Sequence, residues 1–346
     1  MAIFNFGPWE TKGLPVLDAA LPADITVAAT NSATFKVCIV KDGTPKEYTY
    51  QWYEDGKAIS GATSDTYVRS TTKSDGGTHL IYCIVTNKAG TVTSRTATLT
   101  VDDSAFRAPK FSYNDSYSLT DDSGESIQQG ALVGDWMLTL KTSGTLHFSD
   151  LGSAAKGIEV FLCGGGGNGG RGHAWSGGGG GGGGYTANKT TNVSVDQNYP
   201  ITIGGSGGNT TAFSTTAQAG ENGADSGTGA DAAGTTYPGG SGTGKGGTGG
   251  ASRINATDGQ DGVYAFNGSS GIKYGAGGGG GKGVDDNYPY IGKGGVTGGG
   301  SGTDDQNSDK SNGVANTGGG GGGGNPKTKT GGTGGSGVVI IRNKRS

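Results

Sequence analysis

Hydrophobic and polar positions alternate with a period of two between residues 22 and 102. The runs are ITVAATNSATFKVCIV, YTYQWYEDGKAI and THLIYCIVTNKAGTVTSRTATLTV, with turn signals at Asp42-Gly43, Asp55-Gly56, Asp75-Gly76-Gly77 and Ala89-Gly90. Several short alternating runs at this spacing predict half-buried strands folded into a two-sheet sandwich. From Asp102 to Gly130 the text turns polar and acidic, as in FSYNDSYSLTDDSGESIQQG, and reads as a linker or an arm against the next domain. Strand pattern returns in WMLTL from Trp136, GTLHF from Gly144 and GIEVFLC from Gly157, and the chain closes on GVVIIR from Gly337. The predicted organisation is therefore a terminal segment over 1–21, a sandwich over 22–102, a linker or arm over 103–130 and a further domain over 131–346.

Glycine sets that last domain apart. Only 12 of the 77 glycines fall in residues 1–150, and the other 65 make up a third of residues 151–346. They run together at 164–167, 177–184, 277–281 and 318–324, and more loosely at 204–208, 239–250 and 292–302. Glycine loses the most backbone entropy on folding and brings no side chain to bury, so a flexible linker is one reading. Against it stand a strand-like segment inside the region, VSVDQNYPITIGG, and aromatics recurring between the runs at Trp175, Tyr185, Phe213, Tyr237, Tyr264, Phe266 and Tyr274. The alternative is that nothing but glycine fits. Extended left-handed helices with three residues per turn point their free backbone groups outward in three directions. Without side chains such helices can pack side by side and satisfy those groups on one another. Collagen is excluded by the lack of a strict Gly-X-Y period and by only nine prolines.

Within the first domain, Cys38 lies on an early strand, Trp52 follows it, and Cys83 falls on a late strand, which is the Cys…Trp…Cys order of an immunoglobulin core. The stretches QWYEDGKAISGATSDTY and VTNKAGTVTS resemble bacterial and phage immunoglobulin-like domains. The resemblance implies a structural core of Cys38, Trp52 and Cys83, with the two cysteines facing each other as buried thiols while the protein is in a reducing cytoplasm. One departure is that the tyrosine expected two residues before the second cysteine is Ile81, with Tyr82 adjacent. The order GIEVFLCGGGGNGG, GGGGGGGGYT, YPITIGGSGG, DGVYAFNGSSGIKYGAGGGGG and GGTGGSGVVIIR is similar to the glycine-rich domains of phage tail fibres and tail-tip adhesins, over about 131–346. That likeness implies packed polyglycine II helices whose end loops meet the host receptor, with Cys163 as a small core hydrophobe. The expected fold class is all-β: an Ig-like β-sandwich followed by a β-framed glycine-rich domain with polyglycine II helices.

Charge and residue chemistry narrow the function. The net charge is −3, and Lys and Arg are scattered singly rather than gathered into a stripe able to neutralise phosphates, so nucleic acid is not an expected partner. No run reaches the roughly 18 apolar residues that span a bilayer, and MAIFNFGPWETKGLP lacks the basic-then-apolar profile of a secretory signal. Three cysteines this far apart make neither a zinc site nor a disulfide scaffold. GGSGTGK at 239–245 matches part of a phosphate loop, but Gly246 stands where Ser or Thr must reach magnesium. His79, His147 and His173 pair with no nucleophile or carboxylate at a known spacing, and the acidic pairs Asp121-Asp122, Asp285-Asp286 and Asp304-Asp305 lack the EF-hand order. Asn188 and Asn209 open N-x-Ser/Thr sequons that mean little without export. The expectation is a protein that is not an enzyme and needs no cofactor or metal.

The resemblance and the missing leader together imply a virion protein, assembled in a bacterial cytoplasm and released by lysis. It is expected as a tail fibre or tail-tip receptor-binding adhesin, attached through residues 1–21, with the Ig-like domain as spacer and the glycine-rich domain as distal head. Expected partners are other virion tail or baseplate proteins, a host cell-surface glycan or protein, and further copies of the chain in a trimer. Trp175, Tyr237, Tyr288 and Tyr290 are candidate receptor-binding residues, because stiff aromatics in glycine-bracketed loops stack on sugar rings with little ordering cost. A head-decoration protein with a surface-adhesive Ig-like domain is the alternative. A bacterial surface adhesin would need an export signal or a sorting tail, and the closing IIRNKRS has no such pattern.

Overall fold

Alternation in the first run puts Ala33, Phe35 and Val37 inside, and the same period buries Ile81, Cys83 and Val85 on the longest strand and Ala97, Leu99 and Val101 on the last. In the computed structural model, which describes residues 13–173, 175–226, 239–248, 254–283, 290–303, 311–327 and 330–344, these faces close on one another as a sandwich. One sheet runs Ile25–Ala28, Ala97–Asp102, Gly77–Asn87, Thr49–Glu54 and Lys57–Ala58, with Gly90–Thr93 added to Gly77–Asn87. The other face is supplied by Ser32–Lys36 paired with Thr66–Ser70, and by Val16–Leu17 paired with Ile39–Lys41. Trp52 is fully buried at the centre, and its indole N–H donates to the Ser64 carbonyl at 2.9 Å.

Two expectations about this core change. Cys38 is exposed, because Phe35 and Val37 take the inward parity of their strand and the next residue faces out. Cys83 is buried, so only one of the two free thiols lies in the core and no Cys38–Cys83 disulfide crosses the sandwich. The tyrosine corner is absent as well: Ile81 is a core residue, and Tyr82 points to the opposite face, where its ring stacks on Tyr53 at 4.9 Å.

The compact units divide at Phe106/Arg107, near the start of the 103–130 stretch, so that most of it belongs to the second unit. The stretch expected as a linker or arm is built into the second unit as two strands. Lys110–Tyr113 pairs with Gly144–Asp150, and Tyr117–Asp121 pairs with Trp136–Leu140. Phe111 and Leu119 supply its buried side chains, hidden in the sequence among Asp and Ser. Likewise Val16–Leu17, expected in the terminal attachment segment, is a strand of the first unit, whereas residues 1–12 lie outside the described ones.

The frame of the second unit is a five-stranded sheet in the order Tyr117–Asp121, Trp136–Leu140, Val338–Asn343, Ile158–Cys163, Thr186–Thr191. Both of its faces are covered, which is why Val338–Asn343 and Ile158–Cys163, two of its three inner strands, read as apolar runs. Ile158, Val160, Leu162, Val339 and Ile341 face a core shared with Phe111, Leu146, Phe148, Tyr199 and Ile201 of the three-stranded sheet Lys110–Tyr113, Gly144–Asp150, Asn198–Ile201. Phe161, Cys163, Val338 and Ile340 face the other way, against Tyr274.

From this sheet the glycine segments extend directly. Residues 164–172 continue Ile158–Cys163, residues 177–184 lead into Thr186–Thr191, and residues 330–337 lead into Val338–Asn343. They are neither α-helix nor strand, and backbone hydrogen bonds join them with a recurrence of three. Gly164, Gly167 and Gly170 donate to the carbonyls of Tyr185, Gly182 and Gly179, while Gly166 and Gly169 donate to Gly335 and Gly332. On the third side the carbonyls of Gly165, Asn168 and Arg171 accept from Gly220, Gly223 and Ser226. The next segment repeats the scheme: Gly178, Gly181 and Gly184 donate to Gly324, Gly321 and Gly318, whereas Gly179 and Gly182 donate to Ala224 and Glu221, and Gly180 and Gly183 to Gly247 and Gly244. One residue in three for each neighbour is the periodicity of a three-per-turn helix. Close approach demands glycine here, since a Cβ on Gly181 would stand 2.1 Å from the Gly167 carbonyl oxygen.

Candidate functional site at the loop end of the lattice

The hydrogen-bond directions fix which way each segment runs. Segment 164–172 leaves the sheet and 177–184 returns antiparallel to it; segments 218–226 and 318–325 run parallel to 164–172, and 330–337 runs antiparallel. Segment 275–282 is antiparallel to 177–184, through Gly278 to Gly181 and Gly281 to Gly178, so it also leaves the sheet. Consequently the residues flanking the connections after 172, 226, 282, 303 and 325 all stand at the end away from the sheet.

That end is closed by small polar side chains. Ser176, Ser226, Thr303 and Asn325 are buried there. Ser226 Oγ donates to the Ser176 carbonyl at 3.0 Å, Asn325 N–H donates to Thr303 Oγ1 at 2.8 Å, and Thr303 N–H donates to the Gly323 carbonyl at 3.0 Å. Hydroxyls and amides here take up the backbone groups that have no further glycine neighbour.

Two of the four candidate aromatics stand on this end. Trp175 lies in the turn between 164–172 and 177–184, bracketed by reciprocal backbone bonds between His173 and Ser176, and is 50% exposed. Tyr290 is 40% exposed, and its hydroxyl donates to Asp258 Oδ1 at 2.8 Å, a bond that pushes the phenol above its ordinary value. Asp258 also accepts the Lys293 N–H at 2.7 Å, so it ties Tyr290 to the segment that follows. Trp175 and Tyr290 sit on different connections, and no ring contact joins them. Tyr237 and Tyr288 lie outside the described residues.

Two further clusters were not legible in the sequence. In the Ig-like unit His79 Nδ1 lies 3.2 Å from Asp55 Oδ2 and 3.4 Å from Glu54 Oε1, and its Nε2 lies 2.9 Å from the Asp75 carbonyl oxygen. Arg69 binds Glu54 through Nε at 3.0 Å and reaches Asp75 at 3.4 Å, so the carboxylates are already matched by a cation. The group is an ion-pair network that holds the Thr49–Glu54 and Gly77–Asn87 ends together. No sequence spacing announces it, since the residues come from three strands and two turns. The second cluster is an open polar groove on the sheet side of the glycine-rich unit, lined by residues between Lys189 and Thr216.

Cys163 takes the place expected of it. It is buried where the sheet passes into the lattice, its Sγ 3.5 Å from the Thr317 carbonyl oxygen, and burial pushes the thiol up to about 12.

Comparison with known proteins agrees with the two-unit division. A family model described as a glycine-rich domain matches residues 141–344, and one described as an immunoglobulin domain matches residues 14–101. No curated protein matches the chain in sequence. Among solved structures, the N-terminal four Ig domains of Dscam1 isoform 6.9 are 29% identical over 25% of this chain and 20% of that one, with a TM-score of 0.20. Sidekick-1 immunoglobulin domains 1–5 are 11% identical over 48% of this chain and 44% of that one, at 0.23. A carbohydrate-binding module of the β-sandwich superfamily is 15% identical over 56% of this chain and 84% of that one, at 0.21. The chain thus spans less than half of the first two, and likenesses this distant leave the fold to the family models and the strand topology.

Proposed function

We propose, from the premise that this chain belongs to the glycine-rich domain family, that it is a receptor-binding adhesin of a phage virion, carried on a tail fibre or tail tip. The observation that carries this reading is that the described residues flanking successive lattice connections stand together at the end away from the sheet. We read the lattice segments as polyglycine II helices, on their three-residue hydrogen-bond recurrence and their close packing. A lattice held by backbone bonds is a stiff support, and a stiff support lets short loops meet a target without a large ordering cost. Trp175 and Tyr290 supply exposed aromatic surface there, suited to a host-surface glycan or protein.

In this reading the Ig-like unit is a spacer, residues 1–21 attach the chain to other virion tail or baseplate proteins, and three copies associate. Protein–receptor recognition is its whole task, with no catalysis and no cofactor.

Competition for adsorption tests it. Purified full-length chain is added to host cells before phage, alongside a Trp175→Ala/Tyr290→Ala variant with an unchanged melting profile. Blocking by the parent and loss of blocking in the variant is the expected result. Failure of the parent to bind cells or slow adsorption would refute the adhesin reading and favour a purely structural head-decoration role, to be located by labelling particles.

A further inference from the structure

The polar groove on the sheet side of the glycine-rich unit is built around an unusual turn. Thr210–Ala212 and Thr215–Ala217 pair with Ala212 opposite Thr215, so only Phe213 and Ser214 make the hairpin turn. Both have positive φ, 49° and 57°. A two-residue turn of that kind is ordinarily filled by Asn-Gly, because a positive φ is costly for a bulky side chain. Strain of this sort marks places where a side chain must be aimed.

Here it aims the Phe213 ring at Tyr199, with centroids 5.1 Å apart and an interplanar angle of 37°. The Phe213 carbonyl in turn accepts a hydrogen bond from Lys189 Nζ at 2.6 Å. Packing on Tyr199 explains the ring's orientation but not the open space left beside it, a groove of about 560 Å³. That volume lies within the roughly 300–1,000 Å³ of small-ligand sites.

The groove is also lined by the exposed amides of Asn192, Gln197 and Asn198, and by the hydroxyls of serine, threonine and tyrosine side chains. Among the described residues no carboxylate lines the groove, and its one cation, Lys189, donates to the Phe213 carbonyl. Tyr199 is fixed as well: its hydroxyl accepts the Ser194 N–H at 2.7 Å and donates to Gln197 Oε1 at 3.2 Å.

We propose that this groove is a binding site for a short neutral glycan, a mono- or disaccharide. Apart from the Lys189 ammonium, which is turned to the Phe213 carbonyl, the lining offers donors and acceptors together from neutral amides and hydroxyls, which matches a polyhydroxylated ligand better than an apolar one. The half-buried Phe213 ring, resting on the buried Tyr199, supplies the apolar side against which the C–H face of a pyranose packs. The groove is distinct from the loop end and stands whether or not the adhesin reading holds.

Saturation-transfer NMR on the full chain tests it, with lactose, cellobiose and chitobiose as neutral probes and sialyllactose as the charged one. Three variants accompany the parent: Gln197→Ala/Asn198→Ala, both exposed; Phe213→Gly, which keeps the turn's backbone preference while deleting the ring; and Trp175→Ala at the loop end. At least one neutral disaccharide is expected to show transfer, weakened by about tenfold in each groove variant as one or more hydrogen bonds or the ring contact is lost. Trp175→Ala should bind like the parent. The proposal fails if no neutral disaccharide shows transfer, if the groove variants bind unchanged, if Trp175→Ala abolishes binding, or if sialyllactose outcompetes every neutral probe.

Discussion

Replacing Gly181 by alanine adds a single methyl group at the centre of the lattice. Its Cβ would stand 2.1 Å from the Gly167 carbonyl oxygen and 2.7 Å from that of Asn168, both backbone atoms that cannot rotate away. Relief requires a shift of about 1 Å, because a carbon and an oxygen need more than 3 Å between them. The segments concerned are held on every side: Gly181 donates to Gly321 at 2.7 Å and accepts from Gly278 at 2.8 Å, and Gly167 donates to Gly182 at 2.8 Å. Moving one segment lengthens two or more of these bonds at once. A buried backbone group left without its partner costs about 1–3 kcal/mol, and overpacking alone costs about 1–3 kcal/mol. The substitution should therefore destabilise by roughly 3–6 kcal/mol, a large share of the ~5–15 kcal/mol that holds a domain folded. For a unit of this size that lowers the melting temperature by about 10–20 °C. The matched control is Gly205→Ala, where an added Cβ meets nothing within 4 Å and φ is unstrained. Differential scanning calorimetry compares the two in the full chain. If Gly181→Ala melts within about 2 °C of Gly205→Ala, the lattice is not close-packed and the account of why glycine is used is wrong.

Thiol labelling of the native protein should modify Cys38 quickly and spare Cys83 and Cys163, whose thiols are buried and pushed up to about 11 and about 12; mass spectrometry with and without denaturant reads the difference. The His79 ring is held above its ordinary value of 6.5, first by its bond to the Asp75 carbonyl and then by Asp55 and Glu54. Its contribution to the Ig-like unit is thus complete below about pH 6.5 and lost as pH rises through the folded value, so His79→Gln should flatten the decline of denaturation midpoint on the alkaline side. Leu119→Ala should cost the glycine-rich unit about 2–4 kcal/mol in urea unfolding, since the side chain is buried in the main core; a change below about 0.5 kcal/mol would return residues 107–130 to the status of a loose arm.

The inner strands Ile158–Cys163 and Val338–Asn343 were legible because both faces are covered and their sequences are apolar without a break. The position of Cys38 was misread by one residue, although Phe35 and Val37 carry the parity that turns it outward. Phe111 and Leu119 were overlooked because a short strand buries only one or two side chains, and the polar residues beside them outweigh that signal. Glycine abundance pointed to backbone packing, but which segment bonds to which was beyond reach: residues without side chains carry no pattern that distinguishes one neighbour from another. Trp175 and Tyr290 were identifiable as aromatics among glycines, whereas the Asp258 that holds Tyr290 comes from another segment.

A core joined through main-chain atoms is indifferent to the identity of what its connections carry. In an ordinary domain a change at a loop tip is felt by the side chains packed beneath it, and sequence drift there is restrained by the core. Here the atoms beneath the tips are carbonyls and amides common to every residue, with a few hydroxyls at the boundary. Lengthening a connection costs only the slowly growing entropy of loop closure, about 0.6 kcal/mol for each doubling. The unit is thereby divided in its tolerance: a lattice position whose Cβ would meet a neighbouring carbonyl resists any side chain, whereas a connection can change in length and sequence at little cost to the packing beneath it.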